Sequence, residues 1–195
     1  MSTSLLLQNI AKHIQLTEEE TIFFSSLIVS RKLSKKTLLL AAGQDCRYLS
    51  YVDSGALRSY FVDKDGKEST IMFAIADWWI TDMYCYLNLK PAMMYIEAIE
   101  DSSITQISRS NFDQLLNKIP KFEKFFRILM QNAYTREQLR IMENLSSTAQ
   151  ERYDNFLIKY PQIVKQVTQK QIASYLGITP EFLSTLKKSK SKNHS

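Results

Sequence analysis

Residues 168–188 read TQKQIASYLGITPEFLSTLKK, and this stretch decides the architecture of the chain. Thr168 is placed to cap a helix, because its hydroxyl can accept a hydrogen bond from a free N–H of the first turn. The apolar positions of that helix are Ile172, Ala173 and Leu176. Gly177 ends it where a left-handed residue is needed. Ile178 fills the angle, Thr179 caps a second helix, and Pro180 takes the first helical position, where no N–H is missed. Leu183 and Leu186 turn the second helix back onto the first, and the small Ala173 lets the two approach. Two short helices joined through a Gly turn form a helix-turn-helix, whose second helix reads the major groove of double-stranded DNA. The DNA-facing set is then Thr168, Gln169, Lys170, Thr179, Glu181, Ser184, Thr185, Lys187 and Lys188.

Charge is distributed to match. Residues 165–195 hold six lysines and one acid, Glu181, and so carry the whole formal charge of +5. A neutral body with a basic end is the electrostatic footprint of phosphate binding. The alternative for the lysines alone is a solvated tail.

The 195 residues are enough for one large or two small domains, and 45% hydrophobic residues suit a sizeable core. No apolar run approaches the roughly 20 residues of a membrane span, which predicts no membrane partner. The N-terminal stretch MSTSLLLQNIAKHIQL lacks a basic region and a small-residue cleavage site. It reads as an amphipathic helix rather than a secretory signal. Cys46 and Cys85 form no CxxC pair, which fits a reducing cytoplasm and predicts no metal or iron–sulfur site. His13 and His194 lie at opposite ends and are not expected to share a ligand.

Ahead of the decisive motif, periodicity predicts helices over 4–14 and 17–27, the second opened by a Thr17/Glu20 capping box. Short β segments follow at 28–33, 37–41, 48–53, 56–62 and 69–75, then at 95–99 and 103–107. Asp63-Lys64-Asp65-Gly66 is a hairpin signal. Many short strands without helical crossovers indicate an antiparallel barrel or sandwich. Ser110 is read as the cap of a short helix, NFDQLLNK, and Pro120 as the opening of a long one to about 146. A further helix over 149–159 leads into the DNA-reading pair. The long helix has more apolar residues than its own chain can cover. Phe125, Leu129, Leu139 and Met142 are therefore expected to line a homodimer interface. The simpler alternative is a helix packed only on its own barrel.

No enzyme constellation is present: no nucleophile motif, no metal-ligand spacing, and only four glycines, too few for a phosphate-cradling loop. Asp63, Asp65 and Glu68 surround a hairpin turn and read as solvated. The chain is therefore not expected to be an enzyme, and no cofactor is predicted.

The order of elements resembles the Crp/Fnr family of transcription regulators over essentially the full length. The stretches that carry the resemblance are DSGALRSYFVDKDGKE, IEAIEDSSI, ERYDNFLIKYP and IASYLGITPEFLS, most like those of short Bacteroidetes-type members. The resemblance implies an α+β fold: an N-terminal antiparallel β-roll, or jelly roll, of the cyclic-nucleotide-binding-domain type over 1–118. A long dimerisation helix over 119–146 and a helix-turn-helix domain over 147–195 complete it. It implies a cytoplasmic regulator of transcription that binds a palindromic DNA site as a homodimer. RNA polymerase and an unidentified small-molecule effector remain open as further partners.

The family's cassette for cyclic nucleotide holds a Gly-Glu pair for the ribose and an Arg for the phosphate. Here Thr81-Asp82 and Met94-Tyr95 stand in those places, and no arginine lies between Arg58 and Arg109. Residues 77–101 hold Lys90 against five acids, a net −4, and Glu97 would repel an anion if it pointed inward. Neither cyclic AMP nor cyclic GMP is expected to bind. Trp79, Thr81, Asp82, Tyr84, Tyr95 and Glu97 are the candidate pocket residues, for a neutral or cationic apolar ligand if the pocket is open. Thr185 stands where family members carry a guanine-gripping arginine, and little sequence follows for a wing. The rival reading is a degenerate dimeric protein-interaction module that has lost specific DNA recognition.

Overall fold

A computed structural model describes residues 3–192. Two helices open the chain, α1 (Thr3–Ala11) and α2 (Glu18–Leu27). α2 starts where expected: Thr17 accepts from the Glu20 amide, and the Glu20 carboxylate accepts from the Thr17 amide at 2.8 Å. α1 stops at Ala11 rather than near residue 14. A turn through Ile10 then carries Ile14 into the core without continuing the helix.

Eight strands follow: β1 (Ile28–Leu33), β2 (Leu38–Leu40), β3 (Tyr48–Ser54), β4 (Ala56–Val62), β5 (Glu68–Ile75), β6 (Trp79–Ile80), β7 (Tyr95–Ala98) and β8 (Ser102–Ser108). They form two four-stranded sheets, ordered β1-β8-β3-β6 and β2-β7-β4-β5. β8 lies antiparallel between β1 and β3, with Ile107 opposite both Ile28 and Leu49. This is the antiparallel β-roll. β3 is buried on both faces, so its polar residues need internal partners. Thr105 supplies one by donating to Asp53 at 2.8 Å, and Gln106 donates to Ser50 at 2.9 Å. Gly55 makes the tight turn between β3 and β4 at φ +82°, where a Cβ would come within 2.6 Å of the Asp101 carbonyl.

The irregular stretch after β5 holds two elements that periodicity did not reveal, the two-residue β6 and the helix α3 (Met83–Asn88). α4 (Arg109–Lys118) is capped by Ser108, not Ser110, because Ser108 leaves β8 extended and accepts from the Asn111 amide. Then come α5 (Lys121–Ser146), α6 (Ala149–Lys159), α7 (Gln169–Leu176) and α8 (Pro180–Lys192). The antiparallel roll, flanking helices and long helix make up the expected α+β fold.

The described residues fall into two compact units. The first runs to Ser59 and resumes over Phe73–Ala133; the second holds Tyr60–Met72 and everything from Tyr134 onward. In the first unit, Phe122, Phe125 and Phe126 from the start of α5 are buried and stack with Phe24, Phe112 and Trp79. Asp77 ties α1 to β3. Its carboxylate accepts from Tyr51 at 2.7 Å, Asn9 at 2.8 Å and Lys12 at 2.7 Å. Burial alone would raise its pKa, but these three donors overcome that and hold it below the usual carboxylate range.

Candidate nucleic-acid interface and nucleotide cassette

The helix-turn-helix is built by caps and a small apolar core. Thr148 with Glu151 and Thr168 with Gln171 each form a capping box, opening α6 and α7. Gly177 adopts the left-handed conformation at φ 68°, and its N–H reaches the Ala173 and Ser174 carbonyls. Thr179 accepts from the Phe182 amide at 3.2 Å, the capping bond of α8. Phe156, Tyr160, Ile172, Ala173, Leu176 and Leu183 are buried beneath. Tyr160 and Tyr175 meet edge to face, and Arg140 lies 4.7 Å over the Tyr175 ring.

The tip of the β4–β5 hairpin belongs to this same unit. Ser174 of α7 donates to the Glu68 carbonyl at 2.7 Å and accepts from the Thr70 amide at 2.8 Å. Arg140 donates to the Ile71 carbonyl, and to that of Thr70 at 3.1 Å. Asp63, at the hairpin turn, accepts the amides of Asp65 and Lys67. These bonds agree with reading that cluster as a turn.

The expected DNA-facing residues have different surroundings. Gln169, Lys170, Glu181, Thr185, Lys187 and Lys188 are exposed. Ser184 is half-buried. Thr168 and Thr179 are exposed, but their hydroxyls serve the caps. Thr185 donates back to the Glu181 carbonyl at 3.2 Å. Phe182, 47% exposed on α8, is absent from the expected set.

The six candidate pocket residues have different surroundings. The Trp79 ring packs on Tyr51, Phe125 and Phe126, as part of the aromatic core. Tyr84 is exposed on α3, with the Lys90 ammonium 3.2 Å from its hydroxyl. Tyr95 and Glu97 lie on β7, in the other sheet. Thr81 donates to the Tyr48 carbonyl at 2.9 Å.

Asp82 is fully buried and caps α3 through the Cys85 amide at 3.3 Å. Its second oxygen accepts from the amides of Met93 at 2.8 Å and Met94 at 3.1 Å. A carboxylate of the chain thus occupies the backbone donors of this loop. Glu97 does not stand alone either, because it pairs at 3.2 Å with Arg58, which is 3% exposed. Sequence reasoning missed Arg58 because it comes from β4, 39 positions from its partner. Cys46 and Cys85 are buried free thiols, and burial pushes both pKa values up. Among the described residues no His, Cys, Asp and Glu cluster could hold a metal, and no helix is long and apolar enough to cross a membrane.

In the expected dimer set, Phe125 is corrected. It is 1% exposed and spent within its own aromatic core, so it has no surface to offer a partner. Leu129 is half-buried. Leu139 and Met142 are 56% and 61% exposed, continued by Leu145 at 83%.

Residues 30–119 match the model of the cyclic nucleotide-binding domain family. Over 183 residues, 88% of the chain, it is 27% identical to the fumarate and nitrate reduction regulatory protein of Vibrio cholerae, covering 72% of that protein. It is 25% identical to the regulatory protein HlyX of Actinobacillus pleuropneumoniae, covering 75% of that one. Among solved structures, a putative transcriptional regulator of the crp/fnr family from Eubacterium rectale shares the fold at a TM-score of 0.74 with 19% identity, covering 91% of this chain and 85% of that one. The c-di-GMP responsive global regulator CLP of Xanthomonas campestris shares it at 0.73 with 13% identity, covering 91% and 93%. A cyclic-nucleotide-binding-type roll over residues 30–119 and similarity to Fnr-type regulators along most of its length are what this chain shares with the Crp/Fnr transcription regulators.

Proposed function

We propose that the chain binds double-stranded DNA as a homodimer to regulate transcription, and that its roll does not take cyclic nucleotide. The observation that carries the first part is the helix-turn-helix itself. α8 is fixed by Leu183 on its inner side and presents Glu181, Thr185, Lys187 and Lys188 outward. Exposed lysines on and beside a recognition helix suit the phosphates that flank a major groove. The proposed division of labour is a sensor roll over 1–118, a dimer helix over 119–146 and a DNA module over 147–195.

The exposed Leu139, Met142 and Leu145 recur every three residues and share one face of α5. A second copy of this chain is the partner that suits such a face, because two half-sites on DNA need two α8 helices. Against cyclic nucleotide stands Asp82. A cyclic phosphate needs a cation or several aligned N–H donors. The Met93 and Met94 amides already serve Asp82, and the buried Arg58 already faces Glu97.

Selection of bound fragments from genomic DNA with purified protein tests DNA recognition. A palindromic consensus supports the regulator reading, and no enrichment defeats it. Calorimetric titration with cyclic AMP and cyclic GMP is expected to show no heat of binding. A low-micromolar dissociation constant for either would overturn the reading of the roll.

A further inference from the structure

The first two turns of α8 present an unusual set of groups. Glu181 is exposed and can only accept hydrogen bonds when ionised. The Thr185 hydroxyl proton is given to the Glu181 carbonyl, so it is not free to donate to a base. Phe182 stands beside them, three residues from Thr185 on an adjoining face, with 47% of its surface in water. The inner side of the helix is filled by Leu183, at 0% exposure, so the Phe182 ring is left over from the core. Half-exposing a large ring forgoes burial energy, and a partner with an apolar feature at that spot would recover it.

We propose that Phe182 reads the 5-methyl group of thymine in the major groove, an inference that rests on α8 being the DNA-reading helix. The N-terminal residues of a recognition helix meet base edges, and Phe182 lies in the first turn of α8. The major groove offers one apolar group, the thymine methyl, and an aromatic side chain is among those that meet it. Bidentate recognition of guanine or adenine needs side-chain N–H donors, and Glu181, Phe182 and Thr185 supply none. The exposed Lys187 and Lys188 further along the helix suit phosphate, which favours DNA over another protein as the occupant beside the ring. Selectivity at this point of the site therefore comes from a methyl group, with Glu181 able to accept from a cytosine amino group alongside.

The test uses the full chain and a random-sequence duplex pool. The most enriched duplex is resynthesised with deoxyuridine at each thymidine in turn, which removes only the methyl. Wild type is expected to lose about three- to five-fold in affinity at one position of each half-site, the worth of one buried carbon. Phe182→Ala is expected to bind the thymidine duplex as weakly as wild type binds the deoxyuridine duplex, and to ignore the substitution. Phe182→Leu, which keeps an apolar surface, should retain part of the sensitivity. Unchanged circular dichroism would establish that each variant is folded. Wild type indifferent to deoxyuridine at every position, or Phe182→Ala still sensitive to it, overturns the assignment while DNA recognition stands. A pool with no enrichment overturns both.

Discussion

The two halves of α5 differ in where their apolar residues go. Phe122, Phe125 and Phe126 are buried against rings of their own unit, whereas Leu139, Met142 and Leu145 are left in water. The contrast is confined to this helix, because the first unit also leaves Ile22, Val29, Leu87 and Leu89 exposed elsewhere. An apolar stripe of one helix is thus buried in one stretch and exposed in the next. Substitutions in the first region should change unfolding; those in the second should change binding.

The largest effect is expected at Phe125. Phe125→Ala should cost about 3–5 kcal/mol by leaving a cavity among packed rings. Urea unfolding would read this as a lower midpoint at every protein concentration. If the loss appeared only on dilution, Phe125 would belong to an interface after all. Next comes Leu139→Glu, which puts a charge on the exposed face. It should weaken self-association by about 100-fold, because an interface would then bury an unpaired carboxylate. Sedimentation checks this, and wild-type protein that is monomeric at micromolar concentration would remove the dimer from the comparison.

Residues 17–27 were legible because their capping box is local, three residues from hydroxyl to carboxylate, whereas the equally local box of Thr148 and Glu151 went unread. Gly177 was legible for the same reason. The strands could be read from alternation and turns, but β6 is too short to show a period. α3 was hidden because its cap, Asp82, looked like an acid in a ligand site. The Arg58–Glu97 pair depends on which strands are neighbours in the sheet, which no local pattern encodes. Phe125 marks the limit most clearly. Its spacing gave the helix and the stripe, but spacing does not say which partner covers a stripe.

A smaller effect is expected at Asp77. Asp77 is held below its ordinary pKa, so it stabilises the fold above its unfolded value and loses this as pH falls through the folded one. Stability should therefore decline below about pH 4. Asp77→Asn should flatten that decline and cost about 1 kcal/mol near neutrality, little because the site is partly solvated. Thermal unfolding against pH would show it, and an unchanged acid limb would mean that other carboxylates dominate.

The smallest change is expected at two lysines of α8. Replacing Lys187 and Lys188 with alanine should weaken binding to all DNA sequences alike. The salt dependence should lose nearly one unit of slope per phosphate contact removed. A slope equal to wild type would mean that these ammonium groups touch no phosphate.

The β4–β5 hairpin, whose tip bonds to Ser174 and Arg140, has a consequence for recombination. A chimera joined at residue 133 would pair this DNA-reading module with a foreign hairpin. The Ser174 hydroxyl and the Arg140 guanidinium would then meet backbone of another shape. A regulator assembled from exchangeable parts would need two crossovers to carry the module whole, one of them deep within the roll's own coding sequence.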